Sequence, residues 1–216
     1  MCAYANAHGM QIAIHAIGDG MLDRVLDACE KALAVHPRRD HRHGVVHCQI
    51  TRPDQLERIR KLGMHVYLQS IFLDYDTRIV FDRVGPALAG TSYAAKSLLQ
   101  SGVTFSNGSD APVEDPAVLR GVECAVTRRS IGSSAPPYRP EEALSVREAL
   151  DSFTQYGAYA SFEENCKGRI RAGMLADFVV LGENPFETAP DRLHAIDVLA
   201  TYLGGACVYR REDARF

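Results

Sequence analysis

No apolar run in this chain approaches the ~20 residues that a membrane-spanning helix needs, and its start lacks the basic-then-apolar pattern of a signal peptide. The six cysteines (Cys2, Cys29, Cys48, Cys124, Cys166 and Cys207) form no C-x-x-C pair. Neither a zinc knuckle nor a disulfide framework is expected, and reduced thiols in a cytoplasmic protein are the simpler reading. There is no basic stripe. The 24 Lys and Arg are spread along the sequence against 27 Asp and Glu, a net charge of −3, which argues against a nucleic-acid partner. A G-x-S-x-G elbow is missing, so a serine hydrolase has no motif support. What remains is a soluble, intracellular globular protein whose 216 residues, 46% hydrophobic, suffice for a real core in one or two domains.

Strands and helices alternate through most of the chain. Residues 1–9 are Ala-rich and read as a helix end stopped at Gly9. Residues 11–14 read as a strand, followed by Gly18, Gly20 and a helix with Leu22, Val25, Leu26, Cys29 and Leu33 at helical spacing. The unit repeats: strand 44–46 leads into His47, Thr51-x-x-Asp54 reads as a capping box, and Leu56, Ile59 and Leu62 mark one helix face before Gly63. A third unit runs from strand 65–69 through a long loop at 70–90 to a helix at 92–100. The fourth is strand 103–106, a turn through Asp110, and a helix at 117–128. Such alternation, at roughly 30 residues per unit, argues for parallel βαβ architecture.

After a loop at 130–140, Ser145-x-x-Glu148 is a second capping box, opening a helix through Phe153, and the Ala-rich run to Ala160 is helical too. Beyond Lys167 the pattern changes. Residues 175–181 and 196–203 read as strands, and Gly204-Gly205 signals a hairpin into 206–209, a small antiparallel β element. Four βα units are half of an eightfold barrel, which takes ~250 residues in full. The sheet is therefore either open and doubly wound or part of something longer.

Three polar residues follow apolar strands: His15, His47 and Asp110. Imidazole nitrogen suits zinc and similar metals, and a carboxylate completes a three-ligand set that leaves a coordination position open. Any one of these histidines alone reads more readily as a core or surface residue; the three together at strand ends suggest a metal hydrolase. His36, His41 and His43 are not included, because His41 and His43 stand among Arg38, Arg39 and Arg42, as in a solvated loop. Gly18-Asp-Gly20 is a poor dinucleotide loop, since Asp23 occupies the place of a third small residue. Cys48 beside His47 reads as a packed thiol, because neighbouring strand residues face opposite ways.

His15-Ala-Ile-Gly-Asp19, His47-Cys-Gln49, Gly108-Ser-Asp-Ala-Pro-Val113 and Ala125-Val-Thr-Arg128 together resemble the amidohydrolase superfamily, in its amidohydrolase 3 (YtcJ-like) branch. Leu144-Ser-Val-Arg-Glu-Ala-Leu150 and Lys167-Gly-Arg-Ile-x-x-Gly173-x-x-Ala176-Asp177 fit the same branch, so the likeness runs nearly end to end. The resemblance implies an α/β fold: the C-terminal half, strands 5–8, of a TIM (β/α)8 barrel in residues 1–165. To this it adds, in residues 166–216, the C-terminal part of a small β-sandwich. It implies hydrolysis of carbon–nitrogen bonds in amide or N-acyl small molecules with a divalent metal, zinc by expectation. His15 and His47 correspond to metal ligands after strands 5 and 6. Asp110 corresponds to the strand-8 aspartate, which touches the metal and takes the proton of the attacking water.

The departures are as specific. The family's strand-1 His-x-His and strand-4 ligand have no counterpart in these residues, Val46 stands where Glu is common, and Ser70 replaces a usual Pro. Gln69 keeps a frequent family residue. The expectation is a C-terminal half of such an enzyme, with no nucleic-acid or membrane partner, that joins a second copy of itself or the missing N-terminal half. The alternative is a non-catalytic, self-associating half-barrel with residual or no metal binding. Substrate-binding residues are not legible; Phe72, Tyr75, Arg78 and Arg83 line the site or stand in a solvated loop.

Overall fold

Residues 1–214 are described by a computed structural model. The first helix, α1 (Cys2–Ala7), is followed by β1 (Ala13–Ala16), α2 (Asp19–Val35), β2 (Gly44–His47), α3 (Pro53–Leu62) and β3 (His65–Leu68). A 3-10 turn (Ser70–Phe72), α4 (Leu73–Asp76), α5 (Val80–Ala89) and α6 (Ala95–Gln100) lead to β4 (Phe105–Asn107). Then come α7 (Val118–Thr127), α8 (Val146–Phe153) and α9 (Gln155–Ala160). All four strands are parallel and lie in the order β1-β2-β3-β4. The order never reverses, so the switch point of a doubly wound sheet is absent. No helix among the described residues is long and apolar enough to cross a membrane.

The helical stripe read from the sequence forms the core. Leu22, Val25, Leu26 and Cys29 of α2 pack with Ile59 of α3 against Val45, Val66 and Phe105 of the strands, and Leu119 and Val122 of α7 close the cluster. Gly44 opens β2 because a side chain there would collide with the Tyr67 ring, 2.3 Å from where its Cβ would stand.

A second sheet is antiparallel, with β5 (Phe178–Leu181), β6 (Val198–Leu203) and β7 (Ala206–Arg210) in that order. Gly204 and Gly205 have φ of 57° and 82°, the paired positive values that a two-residue hairpin of the primed kind requires. A 3-10 segment (Pro190–Ala195) fastens this part to α7: Leu193 is fully buried in the main core, and His194 binds Glu123 through both its backbone N and Nδ1, at 2.9 and 2.7 Å.

Several expectations are corrected here. Residues 70–90 are helical rather than a loop; Ile71, Leu73, Val80 and Ala89 bury against Tyr93 and Tyr138 in a second cluster, and Gly85 (φ 73°) before Pro86 kinks α5. The cap of α3 is shifted by one residue: Arg52 N donates to Gln55 Oε1 at 3.0 Å, while Thr51 Oγ1 donates to the Thr91 carbonyl. The Ser145–Glu148 box forms as read. His41 and His43 are buried, not solvated. His41 Nδ1 accepts the His43 N–H, so its Nε2–H donates to the Leu62 carbonyl. His43 Nδ1 accepts from Ile12 N, so its Nε2–H donates to Asn6 Oδ1. Three backbone partners and the Asn6 side chain satisfy these buried imidazoles, and a count of neighbouring arginines could not reveal them.

Candidate metal centre

His47 ends β2 and is 4% exposed. Its Nδ1 lies 2.8 Å from Gln69 Oε1, and the Gln69 amide is oriented by donation from Nε2 to the Tyr67 carbonyl at 3.1 Å. An amide oxygen only accepts, so Nδ1 carries a proton, and in the neutral ring Nε2 presents a lone pair. That lone pair faces Asp110, whose Oδ2 is 3.9 Å away. Metal-binding histidines are commonly held this way, one nitrogen donating to a fixed acceptor and the other left free. The Phe72 ring stacks on the imidazole at 5.9 Å between centroids.

His15 lies inside β1 rather than after it, and its ring meets that of His47 edge-on with centroids 4.5 Å apart. Strand register alone would not produce this contact. His47 pairs with Ala16 and His15 with Val46, so regular strands would send the two rings to opposite faces. The backbone leaves strand geometry at His47 and Cys48, with φ of 75° and 49°, and this turn lets the rings meet. Cys48 is packed, as read from the sequence, although by that turn and not by strand alternation. Burial pushes its thiol up to about 12, which leaves no thiolate for nucleophilic chemistry near neutral pH.

Asp110 is 41% exposed and holds a left-handed φ of 57° before the cis Ala111–Pro112 bond. The chain that carries it is pinned. Asn107 Oδ1 accepts from Ser70 N and Oγ at 2.9 and 2.8 Å, Asn107 Nδ2 donates to Ser152 Oγ at 2.8 Å, and Gly108 N donates to the Leu68 carbonyl. Gln69 and Asn107 are the positioning residues that motif reading passed over. Gln69 carries only the signal of a residue frequent in the family, and Asn107 has none beyond its position at the same C-terminal rim as His47. The contacts join His15 to His47 and His47 to Asp110, and among the described residues no three His, Cys, Asp or Glu side chains form a group that could hold a metal ion by themselves. His47, with Nδ1 held by Gln69 and Nε2 toward Asp110, has the chemistry of one ligand within a larger donor set.

The opposite end of the sheet is polar but saturated. His65 opens β3 with Nδ1 and Nε2 bonded to Thr104 and Ser106 hydroxyls, and burial pulls its imidazole down to about 4, with Arg42 nearby adding to the effect. His43 is likewise lowered to about 4 by burial, and then by His41 and Arg38. Arg42 binds Glu164 and Asp40 and lies over the Tyr159 and Phe162 rings. His41, His43, His65 and Arg42 are each hydrogen-bonded or ion-paired within the fold, which suits a stabilising role.

Residues 1–209 match the family model described as the amidohydrolase family. The chain is 35% identical over 209 residues to the putative amidohydrolase YtcJ of Bacillus subtilis, covering 96% of this chain and 39% of that protein. It is 30% identical to N-substituted formamide deformylase of Arthrobacter pascens, covering 96% and 38% respectively. Among solved structures it is similar to an uncharacterized metal-dependent hydrolase from Pyrococcus horikoshii OT3, with a TM-score of 0.74 and 28% identity over 86% of this chain and 36% of that one. The chain thus spans about two fifths of the length of these relatives.

Proposed function

Because this chain belongs to the amidohydrolase family, we propose that it supplies strands five to eight of a (β/α)8 barrel and, with them, one side of a metal-dependent centre that hydrolyses carbon–nitrogen bonds in amide or N-acyl small molecules. The reading takes residues 1–165 as the barrel part and 166–216 as part of a small β-sandwich, in a cytoplasmic protein. The observation that carries it is the His47 imidazole, with Nδ1 engaged by Gln69 and Nε2 turned toward Asp110 beside the His15 ring.

His15 and His47 would hold a divalent ion, zinc in this reading, with Asp110 as the oxygen donor at its edge. Such an ion, when bound, supplies Lewis acidity that eases ionisation of water and polarises a carbonyl. Asp110 accepts the proton of the water that adds to the amide carbon. As the C–N bond breaks, Asp110 returns that proton to the departing amine nitrogen, which leaves atoms and charge balanced. Its partial exposure suits this role, since the carboxylate must meet both water and leaving group. Phe72 against His47 shields the imidazole from solvent.

Two measurements test the reading. Zinc titrated calorimetrically into the purified chain should bind saturably and at least tenfold more weakly to His47→Ala. Amine release from N-formyl and N-acyl amides should depend on zinc and vanish in Asp110→Asn. Turnover that survives Asp110→Asn would remove the aspartate from the chemistry, and a zinc affinity unchanged by His47→Ala would remove His47 from the metal centre.

A further inference from the structure

Beyond the candidate centre the structure holds a cavity of about 770 Å³ between α5 and residues 128–139. Four arginines line it, Arg78, Arg128, Arg129 and Arg139, and no Asp or Glu does. Arg139 is neutralised by Glu141 and Glu142. The other three have no carboxylate within ion-pair distance among the described residues.

Arg128 is the most demanding of them. It is 2% exposed, and its guanidinium donates only to neutral acceptors, the Tyr138 and Tyr93 carbonyls at 3.1 Å each. Burial pulls it down to about 10, so it stays cationic at neutral pH. Glu142 and Glu141 act on it only through space, with no direct ion pair, and a buried cation lacking a direct anionic partner is costly to maintain. Arg129 adds an independent signal, because its Nε is buried with no hydrogen-bond partner. The opposite character is present on the same walls: Phe81, 51% exposed, meets Tyr138 edge-on at 5.9 Å, and Pro136 and Pro137 complete an apolar surface.

We infer that this cavity is a binding site for an organic anion, a carboxylate on a flat apolar body. The carboxylate is held by Arg78, Arg128 and Arg129, and the body lies against Phe81 and Tyr138. Guanidinium groups match a carboxylate in geometry and charge, and aromatic faces favour a planar partner. Arg128 also lines the small pocket that holds His47 and Gln69, but none of the cavity's lining residues is a proposed metal ligand, so anion binding and metal binding can be tested separately.

Benzoate is the probe, with inorganic phosphate as the comparison that offers charge without an apolar body. Calorimetry on the full chain should show one saturable benzoate site, at least tenfold weakened by Arg78→Ala and by Arg129→Ala and unchanged by Arg169→Ala at the exposed surface. Phosphate should bind more weakly than benzoate. Circular dichroism should show Arg78→Ala and Arg129→Ala folded like the parent. Absence of saturable binding, or an affinity indifferent to Arg78 and Arg129, overturns the site. Phosphate binding as tightly as benzoate overturns the assigned ligand class.

Discussion

Gln69 shows how one side chain decides the state of another. It accepts from His47 Nδ1 and donates to the Tyr67 carbonyl, so its amide cannot flip without losing both bonds. Gln69→Leu removes the acceptor, freeing the imidazole to change tautomer and rotate. Loss of an outer hydrogen bond of this kind typically lowers metal affinity 10–100-fold, so calorimetric zinc affinity should fall by about that factor while the circular dichroism spectrum stays unchanged. The buried histidines give a second residue-scale expectation. His43 and His65 titrate near 6.5 in the unfolded chain but only near 4 in the fold, chiefly because burial disfavours the charged ring. Between those values the unfolded state binds protons that the folded state does not. Stability is therefore full above about pH 6.5 and declines as pH falls toward 4, by about 3 kcal/mol for each ring. Urea unfolding across pH 7 to 4 should show this loss, and His65→Gln should flatten part of it.

Elements follow local signals where those signals are complete. The Ser145–Glu148 box forms because both halves are present: Ser145 Oγ accepts from Glu148 N, and Glu148 accepts from Ser145 N at 2.7 Å while also binding Lys96. Ser145→Ala should cost about 1 kcal/mol of unfolding free energy, readable as a shift in the urea midpoint at unchanged m-value. The Gly204-Gly205 hairpin and the α2 stripe were equally legible. Residues 70–90 were not, because their helices are short, Gly85-Pro86 interrupts them, and their apolar residues pack on Tyr93 and on Tyr138, the latter about 50 residues further along the chain. Arg52 as the cap of α3 was hidden for a similar reason. Thr51, the better cap by type, is occupied with Thr91 from another element.

Across the whole molecule, the four-stranded parallel sheet ends at β1 and β4, each paired on one side only. Unpaired strand edges recruit partners, and β1 carries exposed Ala13 and His15. In our reading these edges are covered by further barrel strands, and the isolated chain associates with itself. Light scattering coupled to size exclusion should give a mass above one chain, rising with concentration; a clean monomer at high concentration would sink this. The strand–helix alternation, the stripe of α2 and the hairpin glycines were determined by sequence alone. Each of these is a local pattern of residue type and spacing. Tertiary structure decided that the His15 and His47 rings meet across a parity that should separate them, that Gln69 holds one imidazole, and that His41 and His43 are buried. It also gathered three arginines without acids around one cavity. Those outcomes depend on backbone turns and on partners tens of residues away, which no window of sequence contains.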